Sequence, residues 1–313
     1  MKTGPIIASA KTIKTQSLIC ILTTLCIHAA TISSAQEDLL SMVDSSSNNK
    51  EYVTAAFKST RVINGQSIEM LGKNVLDVRI LHRFGLINEG INNLFGLDEA
   101  SMRMGFDYGI SKNIMIGVGR STLGKELDGL IKYRAIQQAI NGAPVSLIVL
   151  AGTTLTTQKF AEGAKYTETK HRMAWYSQLI IGRKFSERFS LQLSPTYVHR
   201  NLVPVTTDYN DTYALGIGSR LKISKRVACV ADYHLIASGI NKAFYKNPLS
   251  IGFDIETGGH VFQLHFSNSM GMNEKAFITG TTNNWSNGDI RFGFNLSRVF
   301  TIGGKKNKKS YPE

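Results

Sequence analysis

After residue 35 the chain has no apolar run long enough for a membrane helix, yet it repeatedly alternates apolar and polar residues. In residues 100–108 (ASMRMGFDY) every even position is apolar, while Arg103 and Asp107 share the odd face. A period of two puts successive side chains on opposite sides of a strand, so this segment has one oily and one polar face. Residues 251–256 repeat the pattern, with Asp254 and Glu256 on one side. So do segments near 74–84, 113–121, 144–154, 171–184, 188–199, 211–223, 226–237, 260–269 and 288–300. Residues 127–135 also read as one helical stretch, but their place between two strands favours a strand. The expected total is twelve strands.

The connections alternate in length. Tight polar turns fall at 111–113, 186–188, 224–226 and 258–260, and long segments at 85–98, 156–170, 200–210, 238–246 and 270–287. The middling turn at 136–143 and the short loop at 122–126 break the rule. An even strand number, with short turns at one end and long loops at the other, predicts an all-β fold, a transmembrane antiparallel β-barrel of about 12 strands. Tyr108, Phe189 and Phe300 fall beside tight turns, and Phe84, Trp175, Tyr197 and Tyr213 near long loops, all on the apolar face. Two aromatic belts bracketing an apolar band fit a bilayer. In a soluble barrel or sandwich the same aromatics would be core.

The N-terminus has the order of a secretory signal. Lys2, Lys11 and Lys14 precede an apolar stretch over 18–32, and Ser33-Ser34-Ala35 gives a small-x-small site, so cleavage is expected after Ala35. The stretch is too short and too interrupted for a membrane anchor, and Leu25 stands where a lipoprotein site at Cys26 needs a small residue. Removing the three lysines takes the net charge from +13 to +10 over 278 residues. An exported chain rarely meets nucleic acid, so none is expected as a partner despite the basic charge. Only Cys229 remains, which excludes an intramolecular disulfide.

Residues 36–50 end in a Ser/Asn cluster that reads as a linker. Counting 51–73 in the wall would give thirteen strands, so this segment is expected to be an inward-tucked plug or a periplasmic strap. The division is therefore a signal peptide (1–35), a linker and possible lumen plug (36–73), a barrel (74–300) and a basic periplasmic tail (301–313). Segments FKSTRVINGQSIE (57–69), LDVRILHRFG (76–85), NLFGLDEASMRMGFDYGI (93–110), MIGVGRS (115–121) and 260–300 resemble an uncharacterised family of outer-membrane β-barrels of Bacteroidota, a domain of unknown function. The resemblance implies an outer-membrane location and no established activity. One departure is that thirteen residues follow Phe300, although many such barrels finish on an aromatic residue read by the assembly machinery.

Several motifs suggest chemistry. Residues 119–126 (GRSTLGKE) nearly spell a phosphate-binding loop, but Glu126 replaces the Ser or Thr that holds magnesium, and strand-like sequence follows where a helix is needed. The glycines are expected to relieve crowding in a closed wall. His234 and His265 share the expected lumen face, with Asp232 nearby, but no close His/Cys cluster supports a metal site, and no cofactor is expected. Residues His265 and Ser267 are neighbours on one face of a strand, which a hydrolase could use. That face, however, is opposite Phe262, Leu264 and Phe266, so the pair would point away from lipid. Arg79, Arg103, Arg134, Arg183, Arg220 and Arg291 are expected lumen cations, with Asp77, Asp107, Asp254 and Glu256 as lumen acids, and Asp128 and Lys132 beside them. The expected role is passage or binding of small polar or anionic solutes through a basic, partly occluded lumen. A docking barrel that uses long loops, especially 270–287 with Trp285, and a lipid-acting hydrolase are the alternatives. The expected partners are the bilayer, the outer-membrane assembly machinery and small solutes; the sequence names no protein partner and no oligomeric state.

Overall fold

The computed structural model describes residues 50–158, 168–204, 208–257 and 260–302. The expected signal peptide and its cleavage site, nearly all of the 36–50 linker, and the lysine-rich tail lie outside the described residues.

Twelve strands form a closed antiparallel barrel: β2 (Val75–Leu86), β3 (Ala100–Gly109), β4 (Ile114–Ser121), β5 (Glu126–Ile136), β7 (Ser146–Thr156), β8 (Met173–Lys184), β9 (Phe189–Arg200), β10 (Asp211–Lys222), β11 (Val227–Ser238), β12 (Leu249–Thr257), β13 (His260–Ser267) and β14 (Arg291–Thr301). Each strand pairs with its neighbour in sequence, and β14 closes the wall against β2 with Phe300 opposite Leu76. Closure leaves no unpaired edge strand, so the wall's backbone groups are satisfied chiefly within the sheet. Strands of 8 to 12 residues, at about 3.3 Å per residue and a tilt near 45°, rise about 25 Å, the height of an apolar membrane band. No helix of the described residues is long and apolar enough to cross a membrane.

Alternation sorts the side chains. On β3, Met104 and Phe106 face outward while Arg103 and Asp107 are buried inside. The segment 127–135 lies within β5 and pairs with β4 and β7. On β13, the eleventh wall strand, Phe262, Leu264 and Phe266 face outward and His265 and Ser267 are buried.

Residues 51–73 are not part of the wall. They begin as β1 (Glu51–Tyr52), which pairs with β6 (Ala139–Ile140) in the β5–β7 connection at the short-turn end. The chain then enters the lumen as a hairpin, with Ser67 N–H donating to the Thr60 carbonyl and Val62 N–H to the Gly65 carbonyl, both at 2.9 Å. It leaves through Asn74, whose left-handed φ of 61° turns it into β2.

A second insertion comes from the opposite end. The 268–290 connection, which includes the expected surface loop 270–287, folds inward and carries the helix α1 (Glu274–Gly280). Asn273 caps this helix by accepting from Ala276 N–H at 2.8 Å. Phe277 and Ile278 of α1 join Phe57, Val62, Ile63 and Ile68 of the hairpin, and Ile148, Leu150, Tyr176, Ile180, Val198, Val230 and Ile236 of the wall, in one buried apolar cluster. The inner face of β7 and β8 is therefore largely apolar where this cluster packs, β9–β11 mix apolar residues with Gln192, Arg220 and Asp232, and the rest of the wall is mainly charged and polar inside.

Candidate functional site

The site is the filled lumen, and its main feature is how the hairpin is held. Backbone placed inside a barrel needs partners for its N–H and C=O groups, and here wall side chains supply them. Asp232 Oδ2 accepts from Asn64 and Gly65 N–H at 2.8 and 2.7 Å. Gln263 donates to the Val62 carbonyl at 2.5 Å and Asn295 to the Ile63 carbonyl at 3.3 Å. Gln192 bonds the returning limb at both ends of its amide, donating to the Gln66 carbonyl at 2.6 Å and accepting from Ile68 N–H at 3.0 Å. Lys132 donates to the Glu69 carbonyl at 2.8 Å. The hairpin tip sits close to the wall: a Cβ on Gly65 would lie 3.0 Å from His234 Nε2, so glycine permits this approach.

Most buried charges in the lumen form ion pairs, whereas Arg83 and Lys132 are held by amide oxygens. Arg103 grips Asp128 with two nitrogens, its Nε bond measuring 2.9 Å. Asp77 pairs with Arg79 and accepts from Ser297 Oγ at 2.6 Å. Thr60 of the hairpin accepts from Arg79 at 2.9 Å and donates to Asp107 at 3.0 Å. Arg220 meets Glu256 at 3.1 Å and Asp254 at 3.8 Å, and Lys58 of the hairpin also reaches Glu256, at 2.9 Å. Arg134 and Arg291 are half-buried at opposite ends of the lumen: Arg134 donates to Gln137, and Arg291 to the Phe84 carbonyl and Asn283.

One expected lumen cation is misplaced. Arg183 is on the outer face of β8, exposed, with its guanidinium 5.3 Å from the Phe185 ring. Its neighbours Gly182 and Ile180 are the ones that face inward. The strand has Ile180 and Ile181 on opposite faces, so polarity does not reveal its register, and the apolar cluster inside selects Ile180.

Sequence reasoning missed four charged groups. Arg83 is fully buried and donates to Asn64 Oδ1 at 2.5 Å; its parity with Asp77 and Arg79 was the available signal. Arg61 and Glu274 lie in segments without strand periodicity and carried no signal. Glu126 faces inward, where it accepts from Asn273 at 2.8 Å and pairs with Lys275, so it ties α1 to the wall.

The buried charged residues among those described nearly cancel, seven cations against eight acids. Arg61, Arg79, Arg83, Arg103, Lys132, Arg200 and Arg220 stand against Asp77, Asp107, Glu126, Asp128, Asp208, Asp232, Asp254 and Glu274. The chain's excess positive charge lies elsewhere. Ser267 Oγ accepts from Ser250 Oγ at 2.8 Å and Ser269 N–H at 3.1 Å, while neither ring nitrogen of His265 has a hydrogen-bond partner among the described residues. The two side chains are neighbours without the bond that would activate a serine. The segment 119–126 leaves β4 for a tight turn and enters β5. A Cβ on Gly119 would lie 2.2 Å from the Arg103 guanidinium, so this glycine makes room for a lumen ion pair.

Open space remains at the short-turn mouth. Cavities of about 390, 560 and 270 Å³ surround the returning limb, and all three are lined by Met70.

A closed wall with an outward apolar band and a filled interior agrees with the family model described as a membrane bound beta barrel domain (DUF5777), which matches residues 57–300. The chain belongs to this family. The matched span starts at Phe57, so the family domain takes in the lumen hairpin as well as the wall. Among solved structures, the NanC porin is similar at 7% identity over 72% of this chain and 98% of that one, with a TM-score of 0.43. The Acinetobacter baumannii outer membrane protein Omp33 is similar at 8% identity over 73% and 99%, with a TM-score of 0.42. No curated protein matches the chain.

Proposed function

We propose that this is an outer-membrane barrel, closed at rest, that admits small polar solutes along the charged arc of its wall when its two inserts part. The observation that carries this reading is their meeting: Arg61 of the hairpin and Glu274 of α1 form a buried pair at 3.2 Å inside the lumen. Each insert enters from a different end, so neither alone accounts for closure. The route follows the polar arc from β12 through β2 to β5, because apolar packing seals the lumen along β7 and β8. An outer membrane is the setting that suits a membrane barrel of this strand number and loop asymmetry. The balance of buried charges argues against a strongly basic conduit and favours small polar or weakly charged solutes.

Planar-bilayer recording tests the reading. Asn64 donates to Ser250 at 2.9 Å, so Asn64→Cys with Ser250→Cys in a Cys229→Ser background can lock the hairpin tip to β12. Conductance is expected only under reducing conditions, and more of it when Arg61→Ala is added. Equal conductance in the oxidised and reduced protein, with the cross-link verified by mass, would sink the proposal.

A further inference from the structure

We propose that the outer face of β3–β5 carries a binding site for a phosphate-bearing membrane lipid at its long-loop end. The segment 119–126 has the residues of a phosphate binder without the fold of a nucleotide loop, and the structure gives it another use. Met104, Phe106, Val118 and Leu127 line an apolar groove of about 620 Å³ on the outward face, and Arg120 and Lys125 stand at its long-loop end.

The Lys125 carbonyl holds Arg120 and fixes the backbone from which the Lys125 side chain projects. Lys125 is a non-glycine residue at φ 48°, a conformation that needs support from its surroundings. Its carbonyl accepts from Arg120 at 3.3 Å, from Thr157 N–H at 3.2 Å and from Thr157 Oγ1 at 2.5 Å. Arg120 also donates to Thr157 Oγ1 at 3.2 Å. The neighbouring acid, Glu126, points into the lumen and is used by Lys275 and Asn273. Among the described residues Arg120 and Lys125 therefore have no acidic partner, although both stand at the rim of an apolar membrane-facing surface.

A charge there is least costly at the headgroup level, and a guanidinium beside an ammonium matches a phosphate group. Acyl chains fill the apolar groove below. A soluble nucleotide or free phosphate would leave that groove uncovered, which favours the lipid.

The test uses the full-length barrel and two probes with identical chains, dioleoyl phosphatidic acid and dioleoylglycerol, with bound lipid counted by native mass spectrometry. The expected result is one retained phosphatidic acid per barrel and no retained diacylglycerol. Retention should fall roughly tenfold in Arg120→Gln with Lys125→Gln, persist in Arg120→Lys, and be unchanged in Arg298→Gln, which alters an outward cation elsewhere on the wall. Equal retention of both probes, unchanged retention in the double variant, or an equal loss in Arg298→Gln would overturn the site. Complete displacement by inorganic phosphate at matched concentration would overturn the lipid assignment.

Discussion

Arg61 and Glu274, 213 positions apart in sequence, meet at 3.2 Å in the centre of the barrel, with side chains 3% and 0% exposed. The contact joins an insert from one end of the lumen to an insert from the other. Gln66 of the hairpin also donates to Glu274, at 3.2 Å. Glu274 is thus the point at which α1 recognises the hairpin.

Removing one partner of a buried ion pair strands the other. Glu274→Gln should cost about 3–5 kcal/mol of stability and raise conductance. Arg61→Met combined with Glu274→Leu should lose far less, because two apolar groups need no counter-charge. Urea unfolding of the folded barrel, run as a double-mutant cycle, measures both effects. A double variant as unstable as the worse single would contradict the assignment.

Asp232 holds the hairpin tip through two backbone N–H groups. Asp232→Ala leaves both donors buried without an acceptor, at about 1–3 kcal/mol each. Hydrogen exchange at Asn64 and Gly65 should quicken by several orders of magnitude while wall amides keep their protection. Asp232→Asn retains one acceptor oxygen and should fall between.

Phe277 anchors α1, fully buried with its ring centroid 4.7 Å from that of His234. Phe277→Ala should destabilise the fold by about 3–5 kcal/mol. Limited proteolysis should then cut within 268–290 before any wall strand is lost. Cleavage unchanged from the wild type would show that the insertion is held chiefly by Glu126.

Burial holds the Glu69 carboxyl above its usual range, with Phe57 N–H donating to it at 3.0 Å. A folded-state pKa above the unfolded one means that the docked hairpin keeps its proton longer. Docking is then strongest at acid pH and weakens as pH rises from the ordinary glutamate range through the raised value. Exchange of hairpin amides, corrected for intrinsic rate, should speed up across that window, and Glu69→Gln should flatten the profile.

The wall was legible because a barrel bounded by lipid imposes period-two alternation wherever its interior is polar. Residues 100–108 and 251–256 show the pattern, and their Arg103, Asp107, Asp254 and Glu256 do face inward. That 51–73 lies outside the wall followed from arithmetic, since a thirteenth strand would spoil an even count, but the count could not choose between a plug and a strap. Alternation failed on β8, where apolar residues occupy both faces and Arg183 was assigned to the wrong side. Periodicity reports the difference between two environments, and it vanishes where lipid lies on one side and a protein core on the other.

The sequence by itself determined a twelve-strand wall, the outward faces of its alternating strands and the ends at which its loops are long, because each of those rests on local alternation and spacing. Only the tertiary structure decided that 268–290 turns inward, that the buried charges among the described residues nearly cancel, and that Arg61 finds Glu274. Those outcomes depend on which groups become neighbours once the wall has closed. Inside a closed cylinder each buried polar group must find a partner among residues far away in sequence, and no local pattern records that choice.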